Sequence, residues 1–336
     1  MYLTFFGLRE KPFNVTPDPK FLFLTPGHRE ALAQLVYGVT ERKGFIVLTG
    51  ETGTGKTTLL RALLQRLDST TAVAFVSNTT LDFDGILEYM LEDFGIAKAG
   101  QSPAQRIVGL NNFLIERQRA GQNSVLILDE AQNLDPRTLE RVRLLSNFET
   151  VSDKLLQILL VGQPELRDKL QLPELRQLKQ RIGLRSVIPR LTEPEVGHYI
   201  RTRLRIAGAS DRALFSDRAV NRIAGYTAGI PRLINVVCDH CLLIGYAERK
   251  RRIDRDVVDQ SVKYLEDGMP TRPRRQRRTR TAPMTVPRWA LAGGAAAILA
   301  GSVVAGWRSD ALRYVSGDVA AYVVHLWYAV RTLVTG

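Results

Sequence analysis

Residues 50–57 read Gly50-Glu51-Thr52-Gly53-Thr54-Gly55-Lys56-Thr57, followed by Thr58. They come directly after the apolar run Phe45-Ile46-Val47-Leu48-Thr49 and lead into Leu59-Leu60-Arg61-Ala62-Leu63-Leu64. A strand, a glycine-rich turn and a helix in this order suit a phosphate chain, which needs many donors and no obstructing side chains. Gly50, Gly53 and Gly55 let the backbone curl so that its N–H groups point inward. Lys56 supplies a mobile charge to the β/γ-phosphates, and Thr57 a hydroxyl for Mg²⁺. The helix starts at the phosphates, so its N-terminal dipole favours the anion. Residues 50–58 are therefore expected to bind ATP with Mg²⁺.

A second stretch completes the chemistry. Ser124-Val125-Leu126-Ile127-Leu128-Asp129-Glu130 is an apolar strand ending in two carboxylates. Neighbouring side chains at a strand end point different ways, so the two acids can do different jobs. Asp129 is expected in the Mg²⁺ shell and Glu130 to polarise the attacking water. Gln163 ends another apolar run, Gln157–Gly162, where it can sit between the γ-phosphate and Glu130. Arg181 follows a predicted helix and precedes the last predicted strand. It reads either as an arginine finger reaching a neighbouring subunit's nucleotide or as one more solvated arginine beside Arg176, Lys179 and Arg185. Arg232, after Gly229-Ile230-Pro231, stands at a helix start and either folds over the γ-phosphate or caps the surface.

Apolar runs at Phe45–Thr49, Ala72–Ser77, Val125–Leu128, Gln157–Val161 and Ser186–Ile188 alternate with helical segments. Runs this short and this apolar suit a parallel sheet covered on both faces, giving an α/β sandwich over residues 1–190. From Thr192 the texture is helical throughout. Thr192-Glu193-Pro194-Glu195 reads as a helix start, and residues 191–268 are expected to form a small all-helical lid domain.

The chain has 336 residues and a formal net charge of +13. Residues 269–336 carry ten arginines, no lysine and two acids, leaving +5 for residues 1–268. The basicity belongs mainly to the tail, so it gives only weak support for nucleic acid as a partner of the folded part, a partner that stays possible but less expected. The two cysteines, Cys238 and Cys241, have no second ligand pair nearby and read as small apolar residues on a helix. No signal peptide is evident at the N-terminus.

Residues 269–288 are Arg- and Pro-rich, a composition expected to be disordered and to attract anionic lipid. Residues 289–307, from Trp289 to Trp307, carry no charge and are long enough for a single membrane span. The arginines on the N-terminal flank put residues 1–268 on the cytoplasmic side of an inner membrane and the amphipathic tail, residues 308–336, outside.

Together these motifs resemble an AAA+ ATPase: residues 50–57 match Walker A, Leu126–Glu130 Walker B, Gln163 sensor 1, Arg181 the arginine finger and Arg232 sensor 2. More narrowly, Phe5–Phe23, Leu128–Leu134 and Gly162–Leu166 resemble the ExeA/GspA family of general secretion pathway protein A and exosortase-locus ATPases. The resemblance implies ATP hydrolysis in a ring or filament of identical subunits, serving secretion, pilus or exopolysaccharide machinery in the inner membrane. It leaves as the main alternative a DNA-binding AAA+ regulator of the transposition type, which shares the core and the Asp-Glu-Ala-Gln pattern; a nucleotide-gated scaffold with little turnover is disfavoured by the presence of Glu130.

Overall fold

The computed structural model describes residues 1–267, apart from residues 17, 78–80, 151–152 and 210–213. The predicted linker (269–288), span (289–307) and tail (308–336) lie outside the described residues. Among the described residues no helix is long and apolar enough to cross a membrane.

Five parallel strands form one sheet: β1 (Phe45–Thr49), β2 (Ala72–Val76), β3 (Ser124–Leu128), β4 (Gln157–Gly162) and β5 (Ile182–Val187), in spatial order β2-β3-β4-β1-β5. Strands β1, β3 and β4 are buried along their whole length, which is why each reads as an unbroken apolar run. The last strand begins at Ile182, not at Ser186 as the apolar pattern predicts. It is an edge strand whose Gly183 and Arg185 face out, so polar residues interrupt the run.

Period-two alternation splits the sheet's side chains between two cores. Phe45, Val47, Leu126, Leu128, Ile158 and Leu160 pack on one face. They meet α4 (Phe83–Asp93), α5 (Pro103–Arg119), α6 (Pro136–Leu145), α7 (Pro164–Lys169) and α8 (Arg176–Arg181). Ile46, Leu48, Val125, Ile127, Leu159 and Val161 pack on the other face. Their partners are α2 (Pro26–Thr40) and α3 (Lys56–Leu64). Thr25, Asp82, Ser102 and Asp135 cap the helices that follow them, each accepting a first-turn N–H that would otherwise lack a partner. Because all five strands run the same way, the turns after β1, β3 and β4 emerge side by side at one end of the sheet.

The four predicted lid helices are α9 (Glu193–Ile206), α10 (Asp217–Thr227), α11 (Pro231–Ala247) and α12 (Arg255–Asp267). Thr192 and Glu195 form the capping box that starts α9. The core of this half is not contiguous in sequence. Tyr2 and Phe6 of the short helix α1 (Tyr2–Phe6), with Leu8, Phe13 and Phe21, join Val196, Ile200, Leu204, Val220, Ile223, Ile234, Val237 and Val258. Arg203 ties this N-terminal strap down: its Nε donates to the Pro12 carbonyl at 2.5 Å, and its guanidinium lies 4.7 Å from the Phe21 ring centre. Cys238 and Cys241 are fully buried on α11, as their apolar context predicts. Burial pushes the Cys238 thiol well up and that of Cys241 to about 12, which leaves both un-ionised and unreactive.

Candidate active site

The turn after β1 is shaped by its glycines. Gly53 and Gly55 have φ of 85° and 106°, a region open to glycine. A Cβ on Gly53 would come within 2.7 Å of the Arg232 side chain. Thr54 folds inward, its hydroxyl donating to the Glu51 carbonyl at 2.8 Å. The Lys56 ammonium is buried and donates to the carbonyls of Gly50 (2.9 Å) and Glu51 (3.3 Å). Burial lowers its pKa, partly offset by the charges of Glu130 and Asp129.

The turn after β3 brings the two acids opposite this loop. Asp129 is buried, and burial raises its pKa against a hydrogen bond from the Glu130 N–H (2.9 Å), the Lys56 charge and a hydrogen bond from the Thr57 hydroxyl. Glu130 has φ of 53°, a left-handed conformation costly for a residue with a side chain. Its carboxylate accepts from the Gln132 amide at 2.7 Å and from the Gln163 amide at 3.3 Å. Burial alone would raise the pKa of Glu130, but these two donors and Lys56 outweigh it, and the net direction is down. Gln132 also accepts the Gln163 backbone N–H at 3.0 Å, which joins the turns after β3 and β4. Gly162 makes room for this: a Cβ there would meet the Gln132 amide oxygen at 2.7 Å.

The start of α11 closes the third side. Gly229 permits the approach, because a Cβ there would sit 1.9 Å from the Leu191 carbonyl oxygen. The Arg232 N–H then donates to the Gly53 carbonyl at 3.2 Å, with its exposed side chain at the cleft. The cleft, of about 440 Å³, is lined by residues 52–59, Glu130, Arg232, Asn235 and Tyr199, and by the strap from Asn14 to Leu24.

The structure therefore brings Gly50–Thr58, Asp129, Glu130, Gln163 and Arg232 together. Arg181 stands apart: it does not line the cleft, and its guanidinium donates to Ser146 Oγ (2.6 Å) and Asn147 Oδ1 (2.7 Å). Three further residues bear on the site that the motifs do not single out. Gln132 holds Glu130, and the Gln in Asp-Glu-Ala-Gln was its signal. Arg190 grips Glu51 with both arms of its fork, at 2.7 and 2.5 Å. His28, on α2, touches the phosphate loop from beneath.

The donor set fits a nucleotide triphosphate with Mg²⁺. Lys56 donates to two carbonyls, from which a phosphate oxygen could draw it, and Thr57 and Asp129 already touch through a hydrogen bond. Bound ATP would supply the phosphoanhydride bond and Mg²⁺ would draw charge from it. Lys56 would hold the phosphates, Thr57 and Asp129 the metal, and Glu130 would orient a water and take its proton.

Residues 39–170 match the AAA domain family. General secretion pathway protein A of Aeromonas hydrophila is 42% identical over 260 residues, which are 75% of this chain and 46% of that protein. The chain thus spans less than half of that relative's length. Among solved structures, Cdc6p from Pyrobaculum aerophilum superposes with a TM-score of 0.55 at 20% identity, over 76% of this chain and 75% of that one. The Aeropyrum pernix ORC2 protein, in ADPNP-ADP complexes, gives 0.56 at 18% identity, over 78% and 75%. Drosophila ORC bound to DNA gives 0.59 at 16% identity, over 76% and 64%. At such identities these likenesses speak for the fold alone. The chain thus carries an AAA domain and is a homologue of general secretion pathway protein A.

Proposed function

We propose that this protein hydrolyses ATP with Mg²⁺ in an assembly of identical subunits, and that the cycle drives or switches assembly of a secretion, pilus or exopolysaccharide system in the envelope. The observation that carries the hydrolytic part is the Glu130 carboxylate, held by two amides at the end of β3 and facing the Lys56 loop. The kinship with general secretion pathway protein A supports the envelope setting. Anchorage by residues 289–307 in the inner membrane, with the arginine-rich linker on anionic lipid, is part of the same proposal and rests on the sequence. A DNA-binding role has less support, because the folded residues hold the smaller share of the charge.

The test uses the full chain. Lys56→Ala is expected to lose ATP binding, and Glu130→Gln to keep binding while turnover falls by about 10²–10⁴. Wild-type turnover in Glu130→Gln would overturn the assignment of the base. In cells the protein should stay with membranes through alkaline carbonate; release into the supernatant would overturn the anchor.

A further inference from the structure

We infer that His28 is a positioning residue of the phosphate loop, holding the Thr54–Gly55 peptide so that its N–H faces the nucleotide. The inference rests on the reading that residues 50–58 bind phosphates. His28 sits in the first turn of α2, buried together with Thr25 and Thr54. Its Nε2 lies 3.2 Å from the Thr54 carbonyl oxygen, and its Nδ1 lies 2.7 Å from the Thr25 hydroxyl.

The partners decide the tautomer. A carbonyl can only accept, so Nε2 carries the proton and donates. In the neutral ring Nδ1 is then an acceptor, and the Thr25 hydroxyl donates to it. Burial lowers the His28 pKa, which keeps the ring in the neutral form this chain of bonds needs. Thr25 is also the cap of α2, accepting the His28 backbone N–H at 3.3 Å. The cap, the imidazole and the loop are one connected chain.

The consequence for the loop follows from peptide geometry. No peptide bond is cis among the described residues, and in a trans peptide the C=O and the next N–H point opposite ways. Drawing the Thr54 carbonyl down onto His28 therefore turns the Gly55 N–H up, away from α2. Gly55 is the residue before Lys56, with φ of 106°, in a loop whose glycine freedom would otherwise let this peptide rotate. His28 fixes one donor of the cradle before any phosphate arrives, which lowers the ordering cost of binding.

The test compares ADP with adenosine, which lacks phosphates, on the full chain. His28→Leu removes the donor. ADP affinity is expected to fall about tenfold, with adenosine affinity unchanged. His28→Gln carries an amide N–H₂ at nearly the Nε2 position and should recover to within about threefold of wild type. His28→Asn, whose amide reaches only the Nδ1 position, should not recover. Equal loss of adenosine and ADP in His28→Leu would mean a structural residue and overturn the inference, as would unchanged ADP affinity. If His28→Leu does not fold, the Gln and Asn variants decide: equal ADP affinities overturn the inference. Failure of the wild-type chain to bind ADP would instead overturn the phosphate-loop reading.

Discussion

The two halves of the described chain are held together in opposite ways. In the sheet half, the candidate residues Gly50–Thr58, Asp129, Glu130 and Gln163 follow the buried strands β1, β3 and β4 and are placed by the few residues around them. In the helical half, four helices enclose a core that residues 2–21 complete from the far end of the sequence. Strand ends are local devices: once parallel pairing aligns β1, β4 and β3, their turns must meet. The helical core is a long-range device. Its parts are about 170–250 residues apart in sequence and are tied by Arg203, by Asn235 and by the Tyr2 hydroxyl, which donates to Asp239 at 2.6 Å. Damage in the first half should alter chemistry with little loss of stability, and damage in the second should alter stability first.

The largest test of this contrast is Arg181. It lies in the sheet half but outside the cleft, fastened to Ser146 and Asn147 on its own subunit. If the proposed assembly brings this guanidinium to a neighbour's γ-phosphate, it acts as an arginine finger, which supplies about 10³–10⁵ in rate. Arg181→Ala is expected to reduce turnover on that scale while ATP affinity and melting temperature stay close to wild type. Mixing Arg181→Ala with Lys56→Ala subunits should restore hydrolysis, because some interfaces then pair an intact loop with an intact arginine. If Arg181→Ala alone turns over normally under conditions where wild type assembles, the residue does no more than tie α8 to the end of α6.

What could be read in advance follows the same division. The glycine-rich loop, the position of both carboxylates and the sheet's buried strands were legible because burial on both faces writes an apolar run, and because β1 and β3 lead into a glycine-rich turn and a pair of acids. The edge strand β5 was placed late because solvent on one side puts Gly183 and Arg185 into its pattern. Gln163 was legible as a strand-end amide, whereas Gln132, in a short turn without periodicity, was marked only by the Asp-Glu-Ala-Gln pattern. The strap was legible only as a distinctive stretch, Phe5–Phe23. Nothing in its spacing says that Phe13 packs against Phe215, 5.9 Å between ring centres, since such pairing exists only after the chain has closed on itself. His28 was hidden for a related reason: its partner Thr54 is 26 residues away, and the contact depends on how α2 crosses beneath the loop.

The helical half offers the second test. Arg203 is 6% exposed and donates to the Pro12 carbonyl and the Tyr199 hydroxyl. Arg203→Ala leaves these acceptors buried without a donor and removes the cation over Phe21. The expected loss is about 2–4 kcal/mol, read as a lower denaturant midpoint. Arg203→Lys should recover little of it, since an ammonium cannot reproduce the fork that serves Pro12 and Tyr199 together. Measured near neutral pH and well below the transition, turnover per folded molecule should change far less than stability does. A variant of unchanged midpoint would show that the strap does not depend on this residue and would weaken the contrast.

The smallest effect expected is also the most local. The hydrogen bonds from Gln132 and Gln163 go to the charged form of Glu130 and hold its pKa down. A base works only when ionised, so turnover should fail on the acid side as Glu130 takes up a proton. Because the folded pKa is depressed, that failure comes at lower pH than it would for a free carboxylate. Gln132→Leu removes the nearer donor at similar volume. The pKa of Glu130 must then rise, and the acid limb of the kcat profile must move to higher pH. At neutral pH Glu130 remains ionised in both proteins, so any loss there reports orientation of the carboxylate rather than its charge, and several-fold is the expected size. Gln163→Leu should shift the limb in the same direction but less, since its amide stands at 3.3 Å against 2.7 Å for Gln132. A kcat profile whose acid limb is unmoved in Gln132→Leu would show that Glu130 is not the group titrating there, and the base would have to be sought elsewhere in the cleft.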